Sequence, residues 1–302
     1  MVLKIKDKIK IFFRTILIKI VRFFIRGYGL SKIALFRKIF LRIHSLFEGP
    51  GYLIPVGEFK IYLDEKDTLG LSLGRIHEQH ITELVKKTIK KEDVVVDLGA
   101  NIGYFTLIFS KLVGPKGKVF AFEPDPTNFA ILRENVLINK CSNVILIQKA
   151  VSKISEEGIM YLSENNKGDH RIFDSGDNRK KITIETISLD DYFKDSSRIN
   201  FVKMDIQGSE ILALRGMKEI LEKNKKHIKI LAEFWPNGLK KAGANPKDFF
   251  NILKKYNFIF FENREIDYDL IPIKNIDSFI NNYSNSEESA ASVFAIQAKQ
   301  SI

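Results

Sequence analysis

The sequence predicts an α/β domain whose sheet is mostly parallel and carries helices on both faces. Three strand ends predict it. Val94-Val95-Val96-Asp97-Leu98-Gly99-Ala100-Asn101-Ile102-Gly103-Tyr104 runs three β-branched residues into an acid, two glycines and a helical pattern. That is a buried strand, a tight turn and a helix start. Lys118-Val119-Phe120-Ala121-Phe122-Glu123-Pro124 repeats the strand-then-acid arrangement 26 positions later, which leaves room for a crossover helix from Asn101 to about Val113. Asn200 to Met204 reads as a further core strand, and Asp205 follows it. Open sheets of this kind bind ligands outside the carboxyl ends of their strands.

The remaining elements follow in order. Gly49-Pro50-Gly51 marks a break, and Tyr52 to Leu63 alternates as a short hairpin around Pro55-Val56-Gly57. His77 to Lys90 is helical. Thr127 to Asn139 is a helix opened by Asp125-Pro126-Thr127, with Phe129, Leu132 and Val136 toward the sheet. Val144 to Val151 is the third core strand. An insertion at 155–187 holds a strand (Gly158–Leu162), a polar loop (Ser163–Lys180) and a second strand (Lys181–Ile187). After Asn200–Met204 come a helix from Ser209 to Asn224, a fifth strand from His227 to Phe234, and a helix from Asn245 to Tyr256 with Asn245 and Pro246 as its first positions. Phe258–Phe261 and Ala291–Ala298 are the terminal strands, and Asn281–Ser289 reads as a polar, mobile loop.

Composition bounds the function. The single Cys141 excludes a disulfide framework, and five scattered histidines show no zinc spacing. The net charge of +11 suggests nucleic acid until it is mapped. Twelve of the 48 bases and one of the 37 acids fall in residues 1–47, which leaves 36 of each in the body. A neutral body makes a broad nucleic-acid face unexpected. Residues 1–26 alternate bases with Ile, Phe, Leu and Val as a basic amphipathic helix, suited to an anionic membrane surface. The competing reading is an ordinary helix packed on the body. No apolar run exceeds four residues, so a membrane-crossing helix is not expected. The predicted organisation is a helical extension (1–47) and one body (48–302), with a lead-in hairpin and helix (48–90) before the core. The predicted location is cytoplasmic, peripheral at the inner face of a membrane if the leader docks there.

The turn after Asp97 points to a ligand. A dinucleotide fold wants G-x-G-x-x-G so that a pyrophosphate can sit at the helix N-terminus. Here only Gly99 and Gly103 appear, and a carboxylate stands beside them. Asp97 would repel a pyrophosphate and attract a cationic ligand, which favours S-adenosylmethionine, with its ammonium and sulfonium. Glu123 suits ribose hydroxyls, a device that nicotinamide enzymes share. The competing reading makes Asp97 a helix cap and Glu123 a solvated strand end.

The order Asp97-Leu98-Gly99-Ala100-Asn101-Ile102-Gly103, Phe122-Glu123-Pro124, Ser188-Leu189-Asp190 and Lys203-Met204-Asp205-Ile206-Gln207-Gly208-Ser209-Glu210 resembles the FkbM family of methyltransferases over roughly residues 75–265. Gln207 departs from it, standing where many members carry an acid. The resemblance implies the Rossmann-like class I methyltransferase fold, with a seven-stranded sheet, and O-methylation of sugars or polyketide-type hydroxyls, without naming the acceptor.

Asp205 suits a general base, an acceptor-positioning group or a metal ligand; the competing reading is a helix N-cap. Glu233, followed by Phe234 and Trp235, suits a sugar-like acceptor. With Asp205 it offers oxygen ligands to a divalent cation, though two acids are too few to assert one. His170, in the polar insertion loop, suits proton transfer near neutral pH. Around the donor, Asn101 is expected at the methionine carboxylate, Tyr104 in the turn or in packing, Glu78 as a lid contact, Pro124 beside Glu123, and the Ala150 backbone near the adenine. Three alternatives compete with a glycan or small-molecule methyltransferase. One is a non-catalytic membrane protein that keeps the fold, another a nicotinamide-dependent oxidoreductase, and the last an RNA methyltransferase.

Overall fold

A computed structural model describes residues 52–298 except 74–75, 165, 196–197 and 266–267. The predicted extension at 1–47, with its amphipathic helix, lies outside the described residues. The chain divides between His77 and Glu78 into two compact units. The first contains an antiparallel hairpin, β1 (Tyr52–Val56) and β2 (Phe59–Leu63), turned at Gly57.

The second unit begins with α1 (Gln79–Thr88), β3 (Val94–Leu98), α2 (Tyr104–Val113), β4 (Lys118–Phe122), α3 (Pro126–Ile138) and β5 (Val144–Ile147). These are the crossovers the sequence predicts. The Asp125 carboxylate accepts the N–H groups of Thr127 and Asn128 at 3.0 and 2.8 Å and so starts α3 at Pro126.

The insertion follows as β6 (Ala150–Val151), β7 (Glu157–Leu162) and β8 (Lys180–Ile187), a separate three-stranded sheet. Then come α4 (Leu189–Tyr192), β9 (Phe201–Met204), α5 (Glu210–Arg215), α6 (Lys218–Asn224), β10 (Lys229–Phe234), α7 (Pro236–Lys241), α8 (Lys247–Lys254), β11 (Phe258–Asn263), β12 (Leu270–Pro272), α9 (Ile276–Ser284) and β13 (Ala291–Gln297).

The main sheet has the order β12-β11-β13-β10-β9-β3-β4-β5. Strands β5, β4, β3, β9 and β10 are mutually parallel, and β13 runs antiparallel between β10 and β11. From β3 the chain winds outward through β4 and β5, then returns to the other side of β3 through β9 and β10. The order therefore reverses between β3 and β9, and a crevice opens at their carboxyl ends. The core is continuous across this reversal, from Val96 and Leu98 through Val202 and Met204 to Ile230 and Phe234.

Four expectations need correction. The sheet has eight strands rather than seven, because Leu270–Pro272 pairs with Glu262 and its neighbours on β11. The predicted third strand, Val144–Val151, breaks after Ile147. Ala150 and Val151 leave the main sheet and pair with Thr186 and Ile187, where Ala150 packs against Met160 and Ile184. The predicted helix from Ser209 to Asn224 is two helices. Gly216 separates them, with its carbonyl taken by the Asp190 N–H and a Cβ there only 2.2 Å from the Ser152 carbonyl. The predicted mobile loop at 281–289 is in part the end of α9, which buries Ile276 and Phe279 and is started by the Asn275 side chain. The segment beyond it is tied back by the Trp235 indole N–H to the Glu287 carbonyl at 2.6 Å.

Candidate active site

The crevice is built by close approach. A Cβ on Gly99 would stand 2.0 Å from the Asp205 carbonyl oxygen, and Gly99 has a φ of 78°. Only glycine lets the ends of β3 and β9 come this near. Gly103, with φ 93°, has its Cα side filled by Leu132, which a Cβ would meet at 2.6 Å. Between the glycines, the N–H groups of Gly99 and Ala100 donate to the Phe122 carbonyl, which joins this turn to the end of β4.

Asp97 is 1% exposed. Its Oδ2 accepts the Thr106 hydroxyl at 2.6 Å, while its buried Oδ1 has no hydrogen-bond partner among the described residues. Burial raises its pKa, against the nearby Lys203 ammonium. A buried carboxylate oxygen without a donor is what a ligand bearing N–H groups or positive charge would complete. Glu123 is also buried, and burial pushes its pKa to about 8 despite two backbone hydrogen bonds. Oε2 accepts the Asn101 N–H at 2.8 Å and Oε1 the Asp125 N–H at 3.0 Å. Each oxygen keeps a second lone pair for a hydroxyl.

Asn101 stands at φ 51°, and its Oδ1 accepts the Ile102 N–H at 2.7 Å. Tyr104 is buried and packs edge-on against Phe105. Pro124 lines a cleft of about 470 Å³ with Pro126, Gln148 and Thr183. The Ala150 backbone, expected near an adenine, pairs with Thr186 in the insertion sheet.

Across the crevice, a cavity of about 580 Å³ is lined by Glu78, Lys203, Asp205, Glu233, Glu262 and Arg264, among others. Lys203, inside the fully buried strand β9, places its ammonium 3.1 Å from Asp205 Oδ2 and 4.9 Å from the Phe105 ring centroid. Burial would lower its pKa, but Asp205, Asp97 and Glu78 together drive it above the ordinary lysine value. Asp205 Oδ1 accepts the Gln207 amide at 2.9 Å, and the same nitrogen donates to Glu233 Oε2 at 2.7 Å. Burial, then Asp205, raises the Glu233 carboxyl well above its usual range. Glu78 is raised to about 7, by burial and then Asp205.

Asp205 is not the cap of α5. That helix is entered through Ser209, and Glu210 Oε1 accepts the Ile206 and Gly208 N–H groups at 3.2 and 3.3 Å. Among the described residues no group of three or more His, Cys, Asp or Glu side chains is placed to hold a metal. The Gln207 nitrogen lies between Asp205 and Glu233 and bonds one oxygen of each.

His170 stands apart from this pair. Its Nδ1 accepts the Ser163 N–H at 3.0 Å, which assigns the ring proton to Nε2, and Nε2 lies 4.0 Å from the Asp125 carboxylate. Burial lowers its pKa, against Asp125. Its neighbour Arg171 reaches Trp235, just after β10, with the guanidinium 4.7 Å from the ring centroid and its Nε bonded to Asp169. Residues 167–171 are thus tied to α3, through Asn128 and the Lys167 carbonyl, and to Trp235 after β10.

Sequence reasoning assigned no role to Lys203 or Gln207. A lysine amid Phe201, Val202 and Met204 was a legible signal, because a charge in an apolar strand needs a buried partner.

A parallel α/β sheet with a buried acid at the carboxyl end of each of two neighbouring strands, and further acids across the switch point, defines an S-adenosylmethionine-type site. The chain belongs to the FkbM methyltransferase family: the family description "Methyltransferase FkbM domain" matches residues 97–260. It is 30% identical over 184 residues to the hexuronic acid methyltransferase AglP of Haloferax volcanii, covering 59% of this chain and 68% of that protein. It is 30% identical over 169 residues to the 2-O-methyltransferase NoeI of Sinorhizobium fredii, covering 50% of this chain and 66% of that one. Among solved structures, M. jannaschii TYW2 in complex with AdoMet aligns with a TM-score of 0.43 and 17% identity, over 82% of this chain and 85% of its own. The chain is an S-adenosylmethionine-dependent methyltransferase, which sets aside the nicotinamide and non-catalytic alternatives.

Proposed function

We propose that the enzyme methylates a hydroxyl of a sugar-like acceptor seated in the 580 Å³ cavity. The observation that carries this reading is the meeting of two acid groups across one switch point. Asp97 and Glu123 lie on the donor side, and Asp205 with Glu233 on the cavity side. AglP and NoeI, which are named for hexuronic acid and for 2-O-methylation, support a carbohydrate acceptor.

S-adenosylmethionine supplies a methyl carbon activated by its sulfonium. Asp97 Oδ1 would receive its cationic methionine portion and Glu123 its ribose hydroxyls. On the other side, Asp205 takes the proton of the attacking hydroxyl, whose own pKa lies far above neutrality. Lys203 holds Asp205 in place, and Glu233 bonds a neighbouring hydroxyl. His170 and Arg171 fix the insertion loop against Trp235 and so shape the cavity mouth. Residues 48–302 act as the catalytic body, and the basic leader brings it to an anionic membrane surface. Among the described residues no helix is long and apolar enough to cross a membrane.

Mass spectrometry of cellular glycans with and without the protein tests the acceptor. Loss of one methylene increment from a saccharide supports the reading, and an unchanged glycan profile with altered RNA methylation contradicts it. Co-sedimentation of the full chain with phosphatidylserine vesicles tests the leader. Binding abolished by changing Lys4, Lys8, Lys10 and Arg14 to Glu is the expected outcome.

A further inference from the structure

We infer that Gln207 is a positioning residue that holds Asp205 and Glu233 as one converged acid pair facing the acceptor cavity. The inference rests on the methyl-transfer reading above and deepens it.

Register places the two acids side by side. Met204 on β9 pairs with Ala232 on β10, so Asp205 and Glu233 leave neighbouring strands at the same level. Like charges at that spacing push their side chains apart, or one of them keeps a proton. The Gln207 carboxamide opposes this. Its single nitrogen has two hydrogens, and they go to one oxygen of each acid, at 2.9 and 2.7 Å. Both donors are used, so the amide cannot turn without breaking a bond to one acid.

The backbone is arranged for this contact. Gln207 stands at φ 51° and Gly208 at φ 94°, two left-handed residues in succession. Such a conformation disfavours a side chain as long as glutamine and persists only where the surroundings over-determine it. Here the Ile206 and Gly208 N–H groups on either side are held by Glu210 Oε1. With Lys203 on Asp205 Oδ2, the Asp205 carboxylate is fixed at both oxygens, by a cation and by a neutral donor. The neutral donor is the one that spans the pair. It joins the acids without adding a second positive charge to that of the Lys203 ammonium.

The test uses the full chain, S-adenosylmethionine and an acceptor on which the wild type is active. Gln207→Met keeps the length and removes both donors. It is expected to lower kcat at least tenfold at pH 7 and to leave the S-adenosylmethionine Kd within twofold. Because the amide favours the ionised acids, its loss shifts the acid limb of the pH–rate profile to higher pH, and part of the rate returns on the alkaline side. Gln207→Asn, which keeps the amide and suits a left-handed backbone but is one methylene too short to span both acids, is expected to show the same tenfold loss with the donor affinity kept. If either variant matches the wild-type rate and pH profile, the inference is overturned. If the wild type transfers no methyl group to any glycoside, the reading beneath it fails instead.

Discussion

Asp97 divides its carboxylate between the fold and a ligand. Thr106 satisfies one oxygen and nothing among the described residues satisfies the other. Charge-assisted hydrogen bonds contribute about 1.5–3 kcal/mol each. Asp97→Asn is therefore expected to weaken S-adenosylmethionine binding at least about tenfold by titration calorimetry. Asp205 belongs to the chemistry rather than to donor affinity. Asp205→Asn should lower kcat by roughly 10²–10⁴, the usual span for a general base, and leave the donor Kd unchanged. Asp97, Glu123 and Asp205 were legible in the sequence because each follows a β-rich strand, and a strand end fixes where the next side chain points. Glu233 was legible in the same way, as the acid of the fifth strand, whereas Gln207 stood out only as a departure from the family pattern. They lie 26 positions apart, and nothing in the linear sequence says that one nitrogen reaches the other's carboxylate. His170 was singled out for its chemistry, but a histidine's task depends on what its two nitrogens face. Here one faces a backbone N–H and the other Asp125.

The strands and helices at the switch point constrain one another through backbone contacts. Gly99 meets the Asp205 carbonyl, a backbone atom that cannot swing aside. With its left-handed φ, Gly99→Ala should destabilise the enzyme by at least about 2 kcal/mol, read from urea denaturation. The insertion loop depends on side chains instead. Arg171→Ala removes the Trp235 contact and a bond to Asp169, and is expected to raise the acceptor KM several-fold with kcat nearly unchanged. At this scale the sequence is a good guide where periodicity is strong. The β3–α2–β4–α3 run appears as expected, because β-branched strands, glycine turns and the Asp125-Pro126 cap agree with one another. It fails where tertiary contacts decide. Ala150 and Val151 continue the apolar pattern of β5, yet they pair with Thr186 and Ile187 in another sheet. Leu270–Pro272 is too short for any period to show.

Across the whole molecule, several buried acids hold their protons more tightly than they would in an unfolded chain. Burial raises Glu78 and Glu210 to about 7 and Glu123 to about 8, from an ordinary 4.5. Over that interval the folded chain binds more protons than the unfolded one, so stability falls as pH rises. The contribution is complete below about pH 4.5 and gone above about 8. Tm measured by calorimetry should therefore decrease from pH 6 to pH 8.5, and Glu210→Gln should flatten the slope. The charge map also belongs to this scale: residues 48–302 carry 36 bases and 36 acids, and the excess of bases lies in residues 1–47. The central claim is that the acids across the switch point carry methyl transfer to a sugar hydroxyl. It is tested most directly by incubating the enzyme and its Asp205→Asn variant with methyl-labelled S-adenosylmethionine and a panel of glycosides. The account predicts label in a glycoside with the wild type and its loss with the variant, at equal donor affinity. Label transferred by Asp205→Asn at the wild-type rate would contradict it.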